Sequence, residues 1–414
     1  MAVVEPNVVA LELEKVLPDV QTLFEQDGPF FNAIKKKNVE KISYRQMRVP
    51  LKLRPGGNFG YYNPNGGDLG RGSGSQWDKA VVQSVFLKEG IEYTKLVADA
   101  TDDSRKSVKN AVREMVGNAM DEFKKQLDSQ AMQSGTGQVG TISSVTTSGG
   151  IDTVVLTNTF GAKLVRYNQV VSVFDTTMAT NRGSATITQW DVANNTIQLT
   201  PAIANIAATD VLITEGIDSP LSMPALYGVP YQHSNASTGT WLGFSRASTP
   251  EIRANRVNGG GAAFAIPLPR LAINQIGNRV GIDNNFNPKA WLHPAQKQAY
   301  EDVGQSVSFI QKQPKEEGLN LYFDKMSMAG APTMESFSWD KTRIDFVTDN
   351  VWGRGETLPI GFYKTDGRNI FEIRGASGGV AAAEIFYMVT GFQFFVNNPA
   401  GCAYIDNLAI PAGY

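Results

Sequence analysis

Cysteine and histidine are nearly absent from this chain of 414 residues, which contains one cysteine and two histidines. A disulfide within the chain and every multi-cysteine zinc pattern are therefore excluded, and this cysteine usage is typical of the reducing cytosol. His233 and His293 stand 60 residues apart with no motif around either. A triad that combined Ser234 or Ser237 with a distant base has no supporting motif, so both histidines are expected to be satisfied polar or core residues.

Charge is also sparse. Charged residues make up 19% of the chain, against about 25% in an average globular protein. The 38 basic and 40 acidic residues leave a net charge of −2, so the chain has no overall basic footprint for nucleic acid. The apolar share of 42% excludes a disordered tail, and the length corresponds to two or three domains. A surface with so few charges suits a chain that buries surface area against neighbouring molecules.

A secretion signal and a membrane-spanning run are lacking as well. The first residues, Met1 to Glu5, contain no basic residue, so a signal peptide is not expected. The most apolar stretch, Ile385 to Val396, is interrupted by Gly391 and Gln393 and is too short to cross a bilayer. No membrane association is predicted.

Two sequence patterns resemble a dinucleotide site and a calcium site, but the residues around them do not fit either site. Residues 135–140 match the glycine pattern of dinucleotide sites, but they follow a predicted helix, whereas that site needs a strand before it. Asp283, Asn285 and Asn287 resemble a calcium loop, but Pro288 occupies the position of the required glycine. A linker and a turn are the expected structures, and no cofactor or metal is predicted.

The remaining reactive side chains also favour structural roles. Cys402 lies between Gly401 and Ala403 with no histidine near it in the sequence, which is typical of a small buried residue. Asp102 and Asp103 stand where a helix is predicted to begin and favour that helix end rather than a catalytic pair. With no catalytic constellation, the chain is not expected to be an enzyme, although sites built from carboxylates alone remain open.

Three segments carry the strongest patterns. Residues 1–43 form an arm whose apolar residues fall roughly on one helical face and are expected to dock on this chain or on a neighbour. Residues 44–97 read as a long β-hairpin with strand flanks around 44–53 and 77–93 and a connection from Arg54 to Ser75 that is rich in Gly, Asn and Pro. Long connections of this kind are usually functional or disordered. An isolated hairpin is marginally stable, so we expect a neighbouring copy to support it.

The third segment, 98–135, predicts one long helix over 101–134. Its apolar positions recur every three or four residues, and the opposite face is basic. The apolar positions are Val108, Ala111, Val112, Met115, Val116, Ala119, Met120, Phe123 and Leu127. The basic positions are Arg105, Lys106, Lys109, Arg113, Lys124 and Lys125.

The later part of the chain divides in two. Residues 136–218 are rich in Thr, Val and Ile, and strands expected at about ten-residue spacing predict a small antiparallel barrel or sandwich. Residues 219–414 mix α and β, with helices expected at 270–279 and after Pro294 and strands near 343–347, 360–363, 370–373 and 385–396. The fold class is therefore α+β.

Charge is distributed unevenly. Residues 35–134 contain 18 basic and 12 acidic residues, whereas residues 1–34 contain one basic and six acidic residues. An ordinary solvated helix face is one interpretation of this difference. Complementary contact between copies, in which opposite charge fixes register, and weak contact with a polyanion are the other two interpretations.

The order of these segments resembles the Hong Kong 97-type major capsid protein of tailed double-stranded DNA bacteriophages. Five stretches are similar to sequences of that family: 53–71, 77–82, 98–108, 156–162 and 233–241. By this resemblance, 44–97 is the extended loop that reaches over a neighbour and 98–135 is the spine helix of the peripheral domain. Residues 136–218 are an inserted β-barrel, and 219–414 form the axial domain and the returning peripheral strands.

The resemblance also implies function and partners. The chain is expected to assemble with itself into the pentamers and hexamers of an icosahedral virion capsid, in the cytoplasm of the host bacterium. A separate scaffolding protein, a portal protein, an optional decoration or cement protein and weakly held double-stranded DNA are the implied partners. The expected contacts between subunits lie on the hairpin: Arg54, Phe59, Tyr61, Tyr62, Arg71 and Trp77.

Some family members join a lysine to an asparagine covalently. Lys52 and Lys79 lie on the hairpin, but neither the asparagine nor a catalytic acid is identified, so this crosslink is not carried over.

Two other functions remain open. An encapsulin-like compartment would share the fold and hold a protein cargo instead of DNA. A β-rich carbohydrate-binding or hydrolytic protein would use exposed tryptophans such as Trp190 and Trp241 and would need paired carboxylates beside a cleft.

Overall fold

The computed structural model describes residues 29–37, 39–43, 45–61, 70–94, 105–217, 225–281, 286–308, 327–374 and 380–414. Most of the predicted arm, the acid pair Asp102–Asp103, Tyr62, and Asp283 with Asn285 of the calcium-like turn lie outside these residues.

The first half of the chain is organised around a small sheet and a long helix. The elements are α1 (Pro29–Ala33), β1 (Glu40–Lys41), β2 (Gln46–Arg54), β3 (Gln76–Gln83), β4 (Val85–Thr94) and α2 (Arg105–Ser129). Strands β1, β2 and β3 form one antiparallel sheet in that order. A 3-10 helix, Gln130–Met132, continues the line of α2.

The predicted hairpin is shorter than its hydrophobic pattern suggests. Of the second predicted flank, only β3 pairs with β2, and after Ser84 the chain enters a different sheet, in which β4 pairs with residues 383–392. Ser84 is buried, and its N–H donates to the carbonyl of Arg45. The expectation that Leu87, Ile91 and Tyr93 belong to the hairpin is therefore wrong.

The long helix agrees with its predicted apolar face wherever the structure describes the side chains. Ala119, Phe123 and Leu127 are buried. Lys125, expected on the exposed face, has only 2% of its surface accessible. Burial lowers the pKa of Lys125 to about 8, against the opposing effect of Asp128.

The Thr-rich segment closes into a barrel of six antiparallel strands. The strands are β5 (Gln138–Ser148), β6 (Ile151–Leu156), β7 (Val170–Phe174), β8 (Asn181–Asp191), β9 (Thr196–Thr200) and β10 (Val211–Thr214). Their order around the barrel is β10-β5-β6-β9-β8-β7. The sequence pattern did not identify β5, since its residues from Ser143 onward are mostly small, polar and exposed.

The described residues of the last part of the chain add two larger sheets and three helices. The helices are α3 (Val229–Gln232), α4 (Pro267–Val280) and α5 (Pro294–Ser308). The first strands are β11 (Thr240–Trp241), β12 (Phe244–Ser245), β13 (Asn255–Asn258), β14 (Pro288–Leu292), β15 (Ser327–Met328) and β16 (Ala331–Glu335). The others are β17 (Ile344–Thr348), β18 (Trp352–Phe362), β19 (Ile370–Arg374), β20 (Val380–Val396) and β21 (Ala403–Asp406).

These strands give an α+β, mostly sheet, architecture. One mixed sheet has the order β13-β21-β17-β14-β16-β15, and β20 is the backbone of the other, with β18 and β19 along one edge and β4 along the other. Within the described residues, no helix is long and apolar enough to span a membrane.

An aromatic core fixes the end of the arm to its own chain. The ring of Phe30 lies 5.1 Å from Trp291 and 5.1 Å from Trp339, both edge-on. The N–H of Phe31 donates to the Asp128 carboxylate on α2 at 2.7 Å. For residues 29–34, the surface on which the arm docks is therefore this subunit.

A fully buried polar network lies beside this core. The indole N–H of Trp352 donates to Nε2 of His233 at 3.1 Å, which leaves Nδ1 as the protonated nitrogen facing Asp345 at 2.9 Å. Asp345 also accepts two hydrogen bonds from Arg343. Burial opposes its charge, but Arg343 and His233 hold the pKa of Asp345 at about 2.

Cys402 is part of the same network. Its thiol interacts electrostatically with His233, a histidine that is distant in the sequence. Chain positions 169 residues apart become neighbours here because β21 and the turn after α3 approach the same core. Both side chains are completely buried, which agrees with the structural role predicted for each.

We expect Asp345→Asn to reduce the free energy of unfolding by about 3–5 kcal/mol at pH 7, because it leaves the buried Arg343 charge without its partner. The difference from wild type should persist above pH 4 and shrink as the pH falls toward 2, since Asp345 becomes protonated in both states. Urea unfolding across this range measures it. Asp366→Asn, in an exposed turn, serves as the control and should change stability little.

Candidate inter-subunit interface

The ribbon, defined here as β2, β3 and the residues that connect them, has one face buried against its own chain. Met47, Val49 and Leu51 alternate with exposed residues along β2. Together with Ala80 and Val82 of β3 they pack on a platform made of Trp241, Leu242, Phe244, Ile252 and Phe395. The strands are therefore stabilised within the subunit, which corrects the expectation that a neighbour must support the whole hairpin.

The outer face of the ribbon is basic and partly aromatic. Cross-strand pairs place Arg48 beside Val81, Pro50 beside Lys79, and Lys52 beside Trp77. Trp77 is 66% exposed, and the ammonium of Lys52 lies 5.6 Å from its ring. A groove of about 440 Å³ runs across this face.

The tip of the ribbon, residues 55–61 and 70–75 in the described part, projects away from the platform. Phe59 is 95% exposed and Tyr61 is fully exposed, and their rings lie 6.4 Å apart. Arg71 is exposed on the other leg. Large apolar rings are costly to leave in water, so these side chains are candidates for a contact surface, which stays a prediction.

The two legs of the tip are held together by backbone contacts. The N–H of Gly57 donates to the carbonyl of Ser73 at 2.7 Å. A Cβ on Gly56 would stand 2.4 Å from the nitrogen of Ser75, so this position requires glycine. The tip therefore leaves the strands as a narrow pair of legs.

Arg54, at the base of the tip, has a partner inside the subunit. Its Nε lies 2.8 Å from Oε1 of Glu251, and Nη2 donates to the carbonyl of Ser248 at 3.4 Å. The Glu251 hydrogen bond raises the pKa of Arg54. In this structure Arg54 orients the ribbon on its own platform, and its contact with another subunit stays a prediction.

Of the six residues predicted as contacts, five are exposed on the ribbon, and one of these, Arg54, is paired with Glu251 of the same subunit. Phe59, Tyr61 and Arg71 lie on the tip and Trp77 lies on the outer face, whereas Tyr62 is outside the described residues. Arg48 and Pro50, also on the outer face, were not among the predicted contacts. The alternation along β2 could have identified them, because Met47, Val49 and Leu51 are apolar and buried and the residues between them are exposed.

The residues set aside in the sequence analysis, or assigned there to other functions, have structural positions where the structure describes them. Residues 135–140 connect the end of the helical segment to β5, with positive φ angles at Gly135 and Gly137. Trp241 is completely buried and Trp190 is half-buried against the barrel core, so the expectation that both are exposed is wrong. Across the described parts of the chain, no group of three or more His, Cys, Asp or Glu side chains could hold a metal.

We expect Gly56→Ala to separate the two legs of the tip, because its Cβ has no room beside Ser75. Amide hydrogen exchange at Gly57 should accelerate as its hydrogen bond to Ser73 is lost. Gly74→Ala is the matched control, since a Cβ there meets nothing within 4 Å. Equal exchange in the two variants would contradict the close approach of the legs.

No protein-family model and no curated protein matches this sequence. Among solved structures, the chain is similar to a chain of the cyanophage A-1(L) capsid asymmetric unit, with 11% identity and a TM-score of 0.58 over 95% of this chain and 96% of that chain. At this identity the likeness shows the fold, which is therefore that of a phage capsid chain.

Two further similarities have lower scores. The capsid of the empty GTA particle gives a TM-score of 0.48 at 10% identity, covering 99% of this chain and 100% of that chain. The holo-SrpI encapsulin complex from Synechococcus elongatus PCC 7942 gives 0.45 at 9% identity, covering 100% and 99%. Scores below 0.5 do not decide between a phage shell and a cellular compartment.

Proposed function

We propose that this chain is a structural major capsid protein that assembles with itself into an icosahedral shell around phage double-stranded DNA. The observation that carries the proposal is the ribbon, whose strands are anchored on the subunit while its aromatic tip is left in solvent. In a capsid-type fold, a second copy is the partner that covers such a tip. The chain needs no catalysis for this role.

The Hong Kong 97 arrangement supplies the finer assignment. The ribbon corresponds to the extended loop, α2 to the spine helix of the peripheral domain, and the barrel to an insertion between the spine and the remainder. The mixed sheet with α4 and α5 corresponds to the axial domain, and β18 to β20 with β4 to the peripheral domain. The order of these elements along the chain supports this assignment.

Shell closure follows when the ribbon tip of one copy contacts a different surface on the next copy. Such head-to-tail contacts generate rings when the rotation between copies closes. Phe59 and Tyr61 anchor this contact, since aromatic side chains dominate buried interface centres. Pentamers and hexamers would use the same contact with small differences in angle.

The arm is a second candidate for contact between copies. Residues 1–28 contain six acidic residues and one basic residue, whereas Arg48, Lys52 and Lys79 lie on the outer face of the ribbon. Opposite charge at a contact raises the association rate and fixes register. The arm of one subunit is therefore expected near the ribbon of another.

The proposed role implies partners beyond the chain itself. Assembly in the host bacterial cytoplasm would use a separate scaffolding protein and a portal protein, and the finished virion capsid could accept a decoration or cement protein. With a net charge of −2, contact with packaged DNA would be weak and non-specific.

We expect deletion of residues 56–74 to leave a folded subunit that forms no shells, because the deletion removes the tip but keeps β2, β3 and their platform. Negative-stain electron microscopy counts the particles, and circular dichroism confirms the fold. A point variant, Phe59→Ala with Tyr61→Ala, should reduce particle yield strongly. The control Tyr167→Ala removes a ring from the barrel that is 56% exposed; normal shells from the deletion variant would refute the proposal.

We expect reversal of charge on the ribbon, Arg48→Glu with Lys79→Glu, to slow assembly because it repels the acidic arm. Light scattering at low salt measures the rate. Combining it with Glu12→Lys and Glu14→Lys should restore much of the rate, since the signs are then exchanged. A combined variant that assembles no faster than the ribbon variant would argue against contact between arm and ribbon.

The contents of the particle test the encapsulin alternative. Purified shells that contain DNA agree with the phage assignment, and shells that contain a protein cargo without DNA would replace it.

A further inference from the structure

Beside α2, three charged side chains from three parts of the chain meet where the barrel joins the rest of the subunit. Glu122 belongs to α2, Arg166 to the segment between β6 and β7 of the barrel, and Glu89 to β4. The Nε of Arg166 lies 3.3 Å from Oε1 of Glu122. Electrostatic interaction couples Glu89 to both of them.

The barrel segment is held at this point by polar contacts. The side-chain amides of Gln126 and Gln130 on α2 both donate to the carbonyl of Leu164, at 2.8 and 3.2 Å. Arg166 donates to the carbonyls of Lys163 and Val165 at 3.0 and 2.9 Å, which fixes its guanidinium to its own segment, beside Glu122 of α2. The position of the barrel segment on α2 and the charges of Arg166 and Glu122 therefore depend on each other.

The charges do not balance when all three groups are ionised. Two carboxylates then share one guanidinium, and within the described residues the buried Oε2 of Glu89 has no hydrogen-bond partner. A buried carboxylate oxygen without a donor is costly. A proton on Glu89 removes that cost and leaves the Arg166–Glu122 pair intact.

The other groups around Glu89 do not supply the missing donor. Lys88, next to it on β4, lies 3.9 Å from Glu215 instead. Lys125 on α2 and Lys163 in the barrel segment act on the Arg166 side of the junction. The residue opposite Glu89 on β20 is the uncharged Met388.

We propose that Glu89, Glu122 and Arg166 form a proton-sensitive joint between the barrel and the sheet of β4 and β20. With Glu89 protonated the joint is closed. With Glu89 ionised, the cost of its unpartnered oxygen favours an opening that lets water reach the carboxylate and loosens residues 161–166 from α2. The barrel can then change its angle without unfolding.

The titration of Glu89 falls in the range where such a joint would respond to ordinary changes in pH. Burial, reinforced by the Glu122 carboxylate and opposed by Arg166, raises the pKa of Glu89 to about 7. In an opened joint the pKa returns toward the ordinary value of about 4.3. Linkage between these two states makes opening about tenfold more favourable at pH 8 than at pH 6.

Amide hydrogen exchange of residues 161–169 in the full-length protein tests the proposal, after correction for the intrinsic pH dependence of exchange. The wild type should open about tenfold more at pH 8 than at pH 6, and Glu89→Gln should show no such difference. Glu92→Gln, three residues further along the same strand, is the matched control and should behave as wild type.

A second variant separates a titration effect from a general loss of packing. Glu122→Gln removes the repelling carboxylate and frees Arg166 for Glu89, so the transition should move to lower pH. A wild type without the pH response, a Glu89→Gln variant that keeps it, or a Glu122→Gln profile that does not move would each overturn the proposal. None of these results depends on whether the chain forms shells, so they are separate from the tests of the proposed function.

Discussion

The burial of one face of the ribbon on its own subunit is the constraint from which the proposed function follows. Met47 and Val82 seal that face against Trp241, and Arg54 holds the base of the tip to Glu251. With its strands fixed in this way, the ribbon leaves Phe59 and Tyr61 exposed. Strands that are already ordered reduce the ordering cost of binding through the tip.

Packing in the rest of the subunit keeps the support of the ribbon rigid. Phe30 inserts among three tryptophans, and the His233–Asp345 network ties α3 to the mixed sheet and to β18. The barrel has its own core and meets the central core through Phe160, with the Arg166–Glu122 pair nearby. The element proposed to move is thus joined to the rest by an aromatic ring as well as by titratable groups.

The sequence predicts those features that depend on local pattern. Alternation along 46–54 predicts the ribbon, and the three- and four-residue spacing through Phe123 and Leu127 predicts the spine helix. The change of partner at Ser84 was not predictable, because the apolar pattern continues across it and the 17-residue strand β20 decides where β4 pairs. The meeting of Cys402 with His233, and of Glu89 with Arg166, likewise depends on tertiary contacts between distant positions.

The most direct test of the central claim is cryo-electron microscopy of the purified wild-type protein, with its mass determined by sedimentation. The account predicts closed megadalton shells in which Phe59 and Tyr61 of each ribbon are buried against an adjoining copy. A monodisperse 45.0 kDa species, or a shell in which those two rings face solvent, would contradict it.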